Sequence, residues 1–118
     1  MSNLFYQKAL IVNGLLSKDI EISKEDLGDA VWYAAANGCL DVLNVLLSKD
    51  IKISNKSLKK AVYFAARNNH LNTVDVLLNF LATVDKTNIK YYIGCAVIGA
   101  ASVDNLEIVN QGFLIKKI

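Results

Sequence analysis

The stretch AVWYAAANGCLDVLNVLLSKDIKIS at residues 30–54 decides the fold, because the chain repeats it. The pattern returns as AVYFAARNNHLNTVDVLLNFLATVD at 61–85 and as AVIGAASVDNLEIVNQGFLIKKI at 96–118. Upstream, LLSKDIEIS at 15–23 matches LLSKDIKIS at 46–54. The copies follow one another at spacings of 31 and then 35 residues. A period of this length predicts a solenoid of stacked helical units.

The composition is typical of one packed helical domain. Hydrophobic residues make up 53% of the chain and charged residues 20%, which is too apolar for a disordered protein. Proline is absent, so no helix loses a backbone N–H. No apolar run approaches the ~18 residues of a membrane span. The net charge of +2 is too small to indicate nucleic-acid or membrane binding by itself.

The first full repeat divides into two helices joined by a tight turn. Apolar residues at helical spacing predict a first helix over about 24–36, with Ser23 as its N-cap. Asn37-Gly38 ends this helix, and a second helix is expected from Leu40 to Leu47 or Ser48. Two helices joined by so short a turn form an antiparallel hairpin.

The second full repeat copies this hairpin, with helices expected over 56–67 and 71–79. The third repeat arrives four residues late. We assign the extra length to a link over 80–88, because a solenoid tolerates insertions between helix pairs. Asp85 or Thr87 is the expected cap of the helix that follows.

These boundaries predict a single solenoid domain over the chain, with a final helix that begins at Asn105. The apolar ends, Leu4–Val12 and Phe113–Ile118, offer an alternative function as a self-associating structural unit, a homodimer. The predicted units are an N-terminal capping unit 1–22, the repeats 23–53 and 54–84, and a C-terminal repeat 85–118.

The turn and the start of the second helix resemble the ankyrin repeat. The alanine pair, turn and helix start occur as AAANGCLDVL at 34–43, AARNNHL at 65–71 and AASVDNL at 100–106. The resemblance covers nearly the whole chain and implies an all-α, ankyrin-like solenoid of stacked antiparallel helix pairs. Lysine, asparagine and isoleucine are abundant, which suggests an AT-rich genome. The chain resembles the divergent ankyrin type of large viruses, intracellular bacteria and protists.

The first helices depart from the family pattern. In place of Thr-Pro-Leu-His the chain has DAVW at 29–32, KAVY at 60–63 and CAVI at 95–98. The threonine–histidine hydrogen bonds that brace neighbouring repeats in the family are therefore unavailable. The family's β-hairpin fingers are reduced to sequences such as DIKI at 50–53, so we expect short links instead.

The resemblance implies protein–protein interaction on a concave surface built from the links and the first helices. Residues four apart on a helix share one stripe. Aromatic and arginine side chains are frequent interface anchors. The expected exposed stripes are Gly28, Trp32 and Ala36, then Lys59, Tyr63 and Arg67, then Gly94, Ile98 and Ser102. The predicted partner-binding residues are Trp32, Asn37, Lys56, Lys59, Tyr63, Arg67 and Asn68.

Each of these residues also has a structural interpretation. Trp32 and Tyr63 stand where the family places histidine, so their rings can instead fill the gap between layers. Arg67 and the lysines can form an ordinary solvated face. The sequence leaves both interpretations open.

Nucleic-acid binding is a further alternative. Lys56, Lys59, Lys60 and Arg67 lie on one predicted helix with Tyr63 among them, which suits phosphate contacts and base stacking. The small net charge and the acidic residues of the neighbouring repeat count against it.

Catalysis has little support in the sequence. His70, the single histidine, lies at a turn position that the family uses structurally, and no glycine-rich phosphate loop is present. Cys39 and His70 occupy equivalent positions in adjacent repeats, about 10 Å apart by helix-layer spacing, which exceeds hydrogen-bond reach. No Cys/His/Asp set recurs with metal spacing. We therefore assign no catalytic residue, no metal site, no cofactor and no small-molecule substrate.

The two cysteines indicate a reducing compartment. Cys39 and Cys95 occupy different positions in repeats two apart, which places them beyond the ~7 Å Cα separation of a disulfide. Both are expected to be small core residues. We expect the protein in the cytoplasm, including the cytosol of a host cell.

Overall fold

The structure is a computed structural model that describes residues 4–18, 22–49 and 52–102. Within these ranges the chain forms α-helices, one short 3-10 helix and tight turns, and no β-strand. The prediction of an all-α solenoid of helix pairs is confirmed. The α-helices are α1 (Leu4–Leu16), α2 (Lys24–Ala36), α3 (Leu40–Leu47), α4 (Asn55–Arg67), α5 (Leu71–Val84) and α6 (Ile89–Ala101), and the 3-10 helix is Lys86–Asn88.

Serine caps begin the first helix of both full repeats. The Asp26 backbone N–H donates to Ser23 Oγ at 3.0 Å, and the Ser57 N–H donates to Ser54 Oγ at 3.2 Å. Each contact satisfies a backbone donor that the helix itself leaves unpaired. The predicted Ser23 cap is confirmed, and the equivalent residue Ser54 caps α4, which begins at Asn55.

The turns inside the two hairpins have the same backbone conformation at equivalent positions. Gly38 and Asn69 adopt left-handed backbone conformations, with φ of +67° and +64°. Glycine and asparagine tolerate this region best. Gly38 also leaves room for the next repeat, because a Cβ there would lie 2.6 Å from His70 Nδ1. His70 therefore packs on the preceding turn, which is a structural role for the single histidine.

The helices form two layers. The first helices lie side by side, with α4 between α2 and α6. Behind them α3 packs on α1 and α2, and α5 packs on α4 and α6. Leucine, valine and alanine side chains fill the space between the two layers. Burial of their apolar surface stabilises the fold by about 25 cal/mol per Å². Fully buried members include Leu27, Val31, Leu43, Val62, Leu77, Leu78 and Leu81.

The predicted link over 80–88 is wrong in its first half. The second helix of this repeat continues to Val84. Leu81 is fully buried, so the apolar face extends one turn further than the other second helix provides. The length added between repeats therefore mostly lengthens a helix.

Neither Asp85 nor Thr87 caps α6. The N-cap residue is Asn88, which makes no side-chain capping hydrogen bond. Asp85 serves another purpose, because its Oδ1 accepts from Asn88 Nδ2 at 3.0 Å. Its Oδ2 lies 3.2 Å from the hydroxyl of Tyr92.

Tyr92 anchors α6 to the rest of the stack. Its side chain is fully buried, and its hydroxyl lies 3.1 Å from Asn55 Oδ1 as well as beside Asp85. The hydroxyl donates to one of these oxygens at a time. Burial, reinforced by the Asp85 carboxylate, raises the pKa of Tyr92 to about 12.

A groove of about 510 Å³ opens between α1 and α2, bordered by Ile11, Ala30 and Tyr33. Leu10, Ile11 and Leu15 are more than half exposed on α1. The predicted helix from Asn105 and the apolar end Phe113–Ile118 lie outside the described residues. The unit boundaries remain predictions.

Candidate binding face on the first helices

The exposed stripes of α2, α4 and α6 form a surface that we call the first-helix face. Its main residues are Trp32, Lys59, Tyr63, Arg67 and Ile98. Trp32, Tyr63 and Lys59 are half-buried on it, and Arg67 is exposed. Ile98 on α6 is 63% exposed, unusually high for a large apolar side chain. The structure therefore brings the predicted stripe residues onto neighbouring helices.

Aromatic rings run continuously from α2 to α4. The Trp32 ring stacks on Tyr33 with a centroid separation of 4.1 Å and on Phe64 with 5.4 Å. Phe64 in turn meets Tyr63 edge-on at 5.0 Å. The Trp32 ring thus fills the gap between the neighbouring first helices α2 and α4 and also keeps part of its surface accessible. The structural interpretation therefore holds for Trp32, and its part in binding stays a prediction.

Two lysines lie over rings of the neighbouring first helices. Lys60 Nζ is 5.4 Å from the centroid of Trp32 on α2. Lys59 Nζ is 5.0 Å from the centroid of Tyr91 on α6. A hydrogen bond with the Tyr91 side chain raises the pKa of Lys59, which keeps its ammonium charged. These contacts orient the ammonium groups across the joins between helices.

Arg67 connects α4 to α6 at the other end of the face. Its Nη1 donates to Ser102 Oγ at 3.2 Å and approaches the Tyr63 hydroxyl at 3.5 Å. Ser102 Oγ donates to the Gly99 carbonyl at 2.7 Å. The guanidinium is thereby fixed beside the aromatic row and still reaches solvent.

Asn37 and Asn68 close the C-terminal end of α2. Asn37 Nδ2 donates to the Tyr33 carbonyl, and Asn68 Nδ2 donates across the repeat boundary to the Ala36 carbonyl, both at 2.8 Å. The Asn68 bond satisfies a carbonyl at the end of the helix, whereas the Tyr33 carbonyl also accepts from the Asn37 backbone N–H at 3.2 Å. Both side chains are exposed and have structural work, and their part in binding remains a prediction.

The predicted exposure of Gly28 is wrong. Gly28 is buried, and a Cβ at this position would collide with the Ser57 side chain. The stripe rule assumed that every fourth residue faces solvent, whereas α2 and α4 touch at this level. Gly94, the counterpart on α6, has nothing within 4 Å of a Cβ.

Tyr33 and Tyr91 were missed by the sequence reasoning. Both are more than half exposed and belong to the rings just described. The sequence contained a signal for Tyr91, because the second repeat spacing makes it the equivalent of Lys56, a predicted binding residue, one repeat later. The signal for Tyr33 was its counterpart Phe64 one repeat later.

The thiols are protonated at neutral pH. Burial raises the pKa of both Cys39 and Cys95, and both cysteines are free. Cys39 is buried, whereas Cys95 is half-buried, so only Cys39 is the core residue that the sequence predicted. Raised thiol pKa values leave little thiolate for nucleophilic chemistry.

The described ranges hold no group of three or more His, Cys, Asp or Glu side chains placed to bind a metal ion. In the same ranges no helix combines the length and apolarity needed to cross a membrane.

Comparison with known families gives one result. The family described as ankyrin repeats (3 copies) matches residues 4–90 and again residues 31–116. No curated protein and no solved structure shows a significant match. The two family matches together span residues 4–116, which is nearly all of the sequence. The chain therefore belongs to the ankyrin-repeat family.

Proposed function

We propose that the chain is a non-catalytic protein-interaction module that holds its partner on the first-helix face. Ankyrin repeats generally mediate protein–protein interaction, and the family is typically non-catalytic. The observation that carries the proposal is the row of rings and cations that crosses α2, α4 and α6. Aromatic and arginine groups of this kind dominate the energy of many interfaces.

Exposed apolar area supports the same face. Among the described residues, Tyr33, Tyr91 and Ile98 are more than half exposed and lie on first helices. The second helices α3 and α5 contribute one comparable side chain, Val84, near the end of α5. Burial of such area on binding is a main source of affinity. Helices α3 and α5 therefore offer a partner less exposed apolar area than the first helices do, whereas α1 exposes Leu10, Ile11 and Leu15.

The side chains of the first-helix face are already ordered. Trp32 is held by two rings and by its Nε1 donation to Asp29 Oδ1 at 3.3 Å, and Arg67 is held by Ser102. Ordered side chains lose little rotamer freedom when a partner arrives. The face is thus prepared for binding with a small entropic penalty.

The test is affinity capture from cells of the native host, followed by calorimetry with the partner protein retained. Trp32→Ala, Tyr63→Ala and Arg67→Ala are each expected to weaken binding by about 10- to 30-fold, in the range of interface anchors. The matched control combines Asp41→Ala, Asn44→Ala and Asn72→Ala, which are exposed on α3 and α5. This control is expected to bind like the wild type.

Unchanged affinity in all three anchor variants would defeat the proposal. Trp32 also packs between layers, so its variant requires a melting curve beside the calorimetry. Ile98→Ala provides an independent check, because its side chain is 63% exposed and its removal leaves the core intact.

Self-association is a second candidate, favoured by the N-terminal unit. Leu10, Ile11 and Leu15 expose apolar surface on one helix, next to the groove beside α2. Exposed apolar patches often mark contact surfaces. Sedimentation at rising concentration tests this, with Ile11→Glu as the variant that abolishes association. A monomer throughout the concentration series removes the candidate.

We place this binding in the cytoplasm, including that of a host cell. Free thiols at Cys39 and Cys95 suit a reducing compartment. Fractionation of the host cell tests the location, and recovery in a secreted fraction would contradict it.

A further inference from the structure

We propose that the partner presents an acidic segment, with an apolar residue beside its carboxylates, to the α4–α6 half of the first-helix face. This inference rests on the proposed function and adds the chemistry of the partner. It follows from the distribution of charge, from the contacts of the cations and from open space on α6.

The charge on the face is divided between its halves. Helix α4 carries Lys56, Lys59, Lys60 and Arg67, and neither α4 nor α6 contains an aspartate or glutamate. Helix α2, in contrast, has Glu25, Asp26 and Asp29. The field therefore attracts carboxylates to α4 and α6 and repels them from α2.

Neutral groups hold these cations in place. Lys59 lies over Tyr91, Lys60 lies over Trp32, and Arg67 bonds the hydroxyls of Ser102 and Tyr63. Contacts with rings and hydroxyls orient a positive charge without cancelling it. A carboxylate that meets a fixed cation forms a charge-assisted hydrogen bond at a reduced loss of rotamer entropy.

Arg67 is the strongest of these sites. Both of its described contacts use Nη1, and a guanidinium carries five N–H donors in a planar fork. A carboxylate can approach the remaining donors in bidentate geometry, which a lysine does not offer. We assign the central carboxylate of the segment to this side chain.

Open space on α6 supplies a seat for an apolar side chain. Gly94 has nothing within 4 Å of a Cβ, and Tyr91 and Ile98 flank it on the same stripe. The two flanking side chains are 52% and 63% exposed. A leucine or phenylalanine of the partner would cover both and lie directly beside the cations.

The same features favour an acidic protein over a nucleic acid. The acidic residues belong to α2, which packs beside α4, so a continuous polyanion that crosses all three helices meets repulsion on one side. Lys60 and Lys59 already cover a face of Trp32 and of Tyr91, which leaves less of these two rings available for stacking with bases. A short acidic segment avoids both obstacles.

The experiment is selection of displayed random dodecapeptides on the immobilised full chain. The wild type is compared with the charge-reversal variant Lys59→Glu/Lys60→Glu/Arg67→Glu. The control variant is Lys8→Glu/Lys18→Glu/Lys49→Glu, which makes the same change of net charge on and after α1 and after α3, off the face. Circular dichroism verifies that all three fold.

We expect the wild type and the control to enrich peptides with aspartate or glutamate beside an apolar residue. The charge-reversal variant should bind those peptides at least about tenfold more weakly and enrich lysine and arginine instead. Gly94→Leu should also weaken binding about tenfold by filling the seat. Its control is Gly14→Leu on α1, where a Cβ likewise has nothing within 4 Å.

Enriched peptides without an acidic excess, or equal affinity for all variants, would overturn the inference and leave the proposed function standing. Failure to enrich any peptide would overturn the inference too, since it requires recognition of a short segment. The proposed function is judged separately, by the alanine variants and the retained partner. Salt-sensitive binding of a twelve-nucleotide single strand that exceeds peptide binding would reassign the α4–α6 half to nucleic acid.

Discussion

The two joins between first helices use opposite packing at the same repeat position. Between α2 and α4, Phe64 faces the preceding repeat and stacks on Trp32. Between α4 and α6, the equivalent residue is Gly99, where a Cβ would collide with the Tyr63 carbonyl and lie 3.3 Å from Ala66 Cβ. One join is filled by a ring, and the other brings a helix directly against a backbone.

This difference shows how the stack holds together without the family's threonine–histidine braces. At the α2–α4 join, the Phe64 ring packs on the Trp32 ring. At the α4–α6 join, Gly99 carries no side chain, and this permits the close approach to the Tyr63 carbonyl. The joins should therefore respond differently to substitutions at corresponding positions.

The largest effect is expected from Phe64→Ala. Loss of a half-buried ring stacked on Trp32 should lower the free energy of unfolding by about 2–3 kcal/mol, somewhat below the value for a fully buried phenylalanine. Denaturant unfolding followed by circular dichroism measures it. The control is Tyr33→Ala at the same repeat position, 56% exposed, where about 0.5 kcal/mol is expected. Equal losses in both variants would show that the ring does not hold the join.

The second effect distinguishes two glycines of α6. Gly99→Ala should lower the free energy of unfolding by about 1–2 kcal/mol, because the added methyl presses on the backbone of Tyr63. Gly94→Ala should raise it by about 0.5–1 kcal/mol, since alanine favours the helix and nothing obstructs the methyl. The same unfolding experiment compares them. A stabilised Gly99→Ala variant would contradict the close approach.

The third prediction concerns the anchor of the α4–α6 join. Tyr92→Phe removes the hydroxyl between Asn55 and Asp85 and should cost about 1–1.5 kcal/mol. Tyr91→Phe, on the exposed neighbour, is the control and should change stability less. Chemical unfolding at neutral pH measures both. A loss no larger than the control's would mean that Tyr92 stabilises the fold through its ring alone and not through its hydroxyl.

Tyr92 also predicts a dependence of stability on pH. Its folded pKa of about 12 lies above the ordinary value of 10.0, so the protonated form is favoured by folding. The contribution is complete below pH 10 and is lost as pH rises through 12, to a total of roughly 2–3 kcal/mol. The free energy of unfolding of the wild type should fall more steeply between pH 9 and 11 than that of Tyr92→Phe. Parallel curves would contradict the raised pKa.

The smallest effect is expected from Asn68→Ala. The hydrogen bond from its side-chain amide to the Ala36 carbonyl is exposed, so the loss of this bond should lower the free energy of unfolding by about 0.5–1 kcal/mol. Asn72→Ala, also exposed but on α5, should change stability by less than about 0.3 kcal/mol. Thermal unfolding ranks the pair. A reversed order would remove the structural role of Asn68.

The hairpins were predictable because their signals are local. Ser23 and Ser54 cap helices through backbone contacts three residues away, and Gly38 supplies its own left-handed turn. Such features depend on the residue and its immediate neighbours. The repeat spacing then placed each hairpin on the next.

Features that depend on contact between repeats were not predictable from one copy. The burial of Gly28 is set by Ser57 in the next repeat, and the length of α5 is set by the burial of Leu81. Tyr91 gains its importance from Lys59 on another helix. The helical pattern of a single repeat does not predict how closely it packs on the next repeat.

Binding on the first-helix face is tested by a heteronuclear NMR titration of the labelled chain with the partner that affinity capture retains. The largest chemical-shift changes are expected at Trp32, Lys59, Tyr63, Arg67 and Ile98, with α3 and α5 nearly unchanged. Changes concentrated on α3 and α5, or on Leu10 to Leu15 of α1, would contradict binding on the first-helix face.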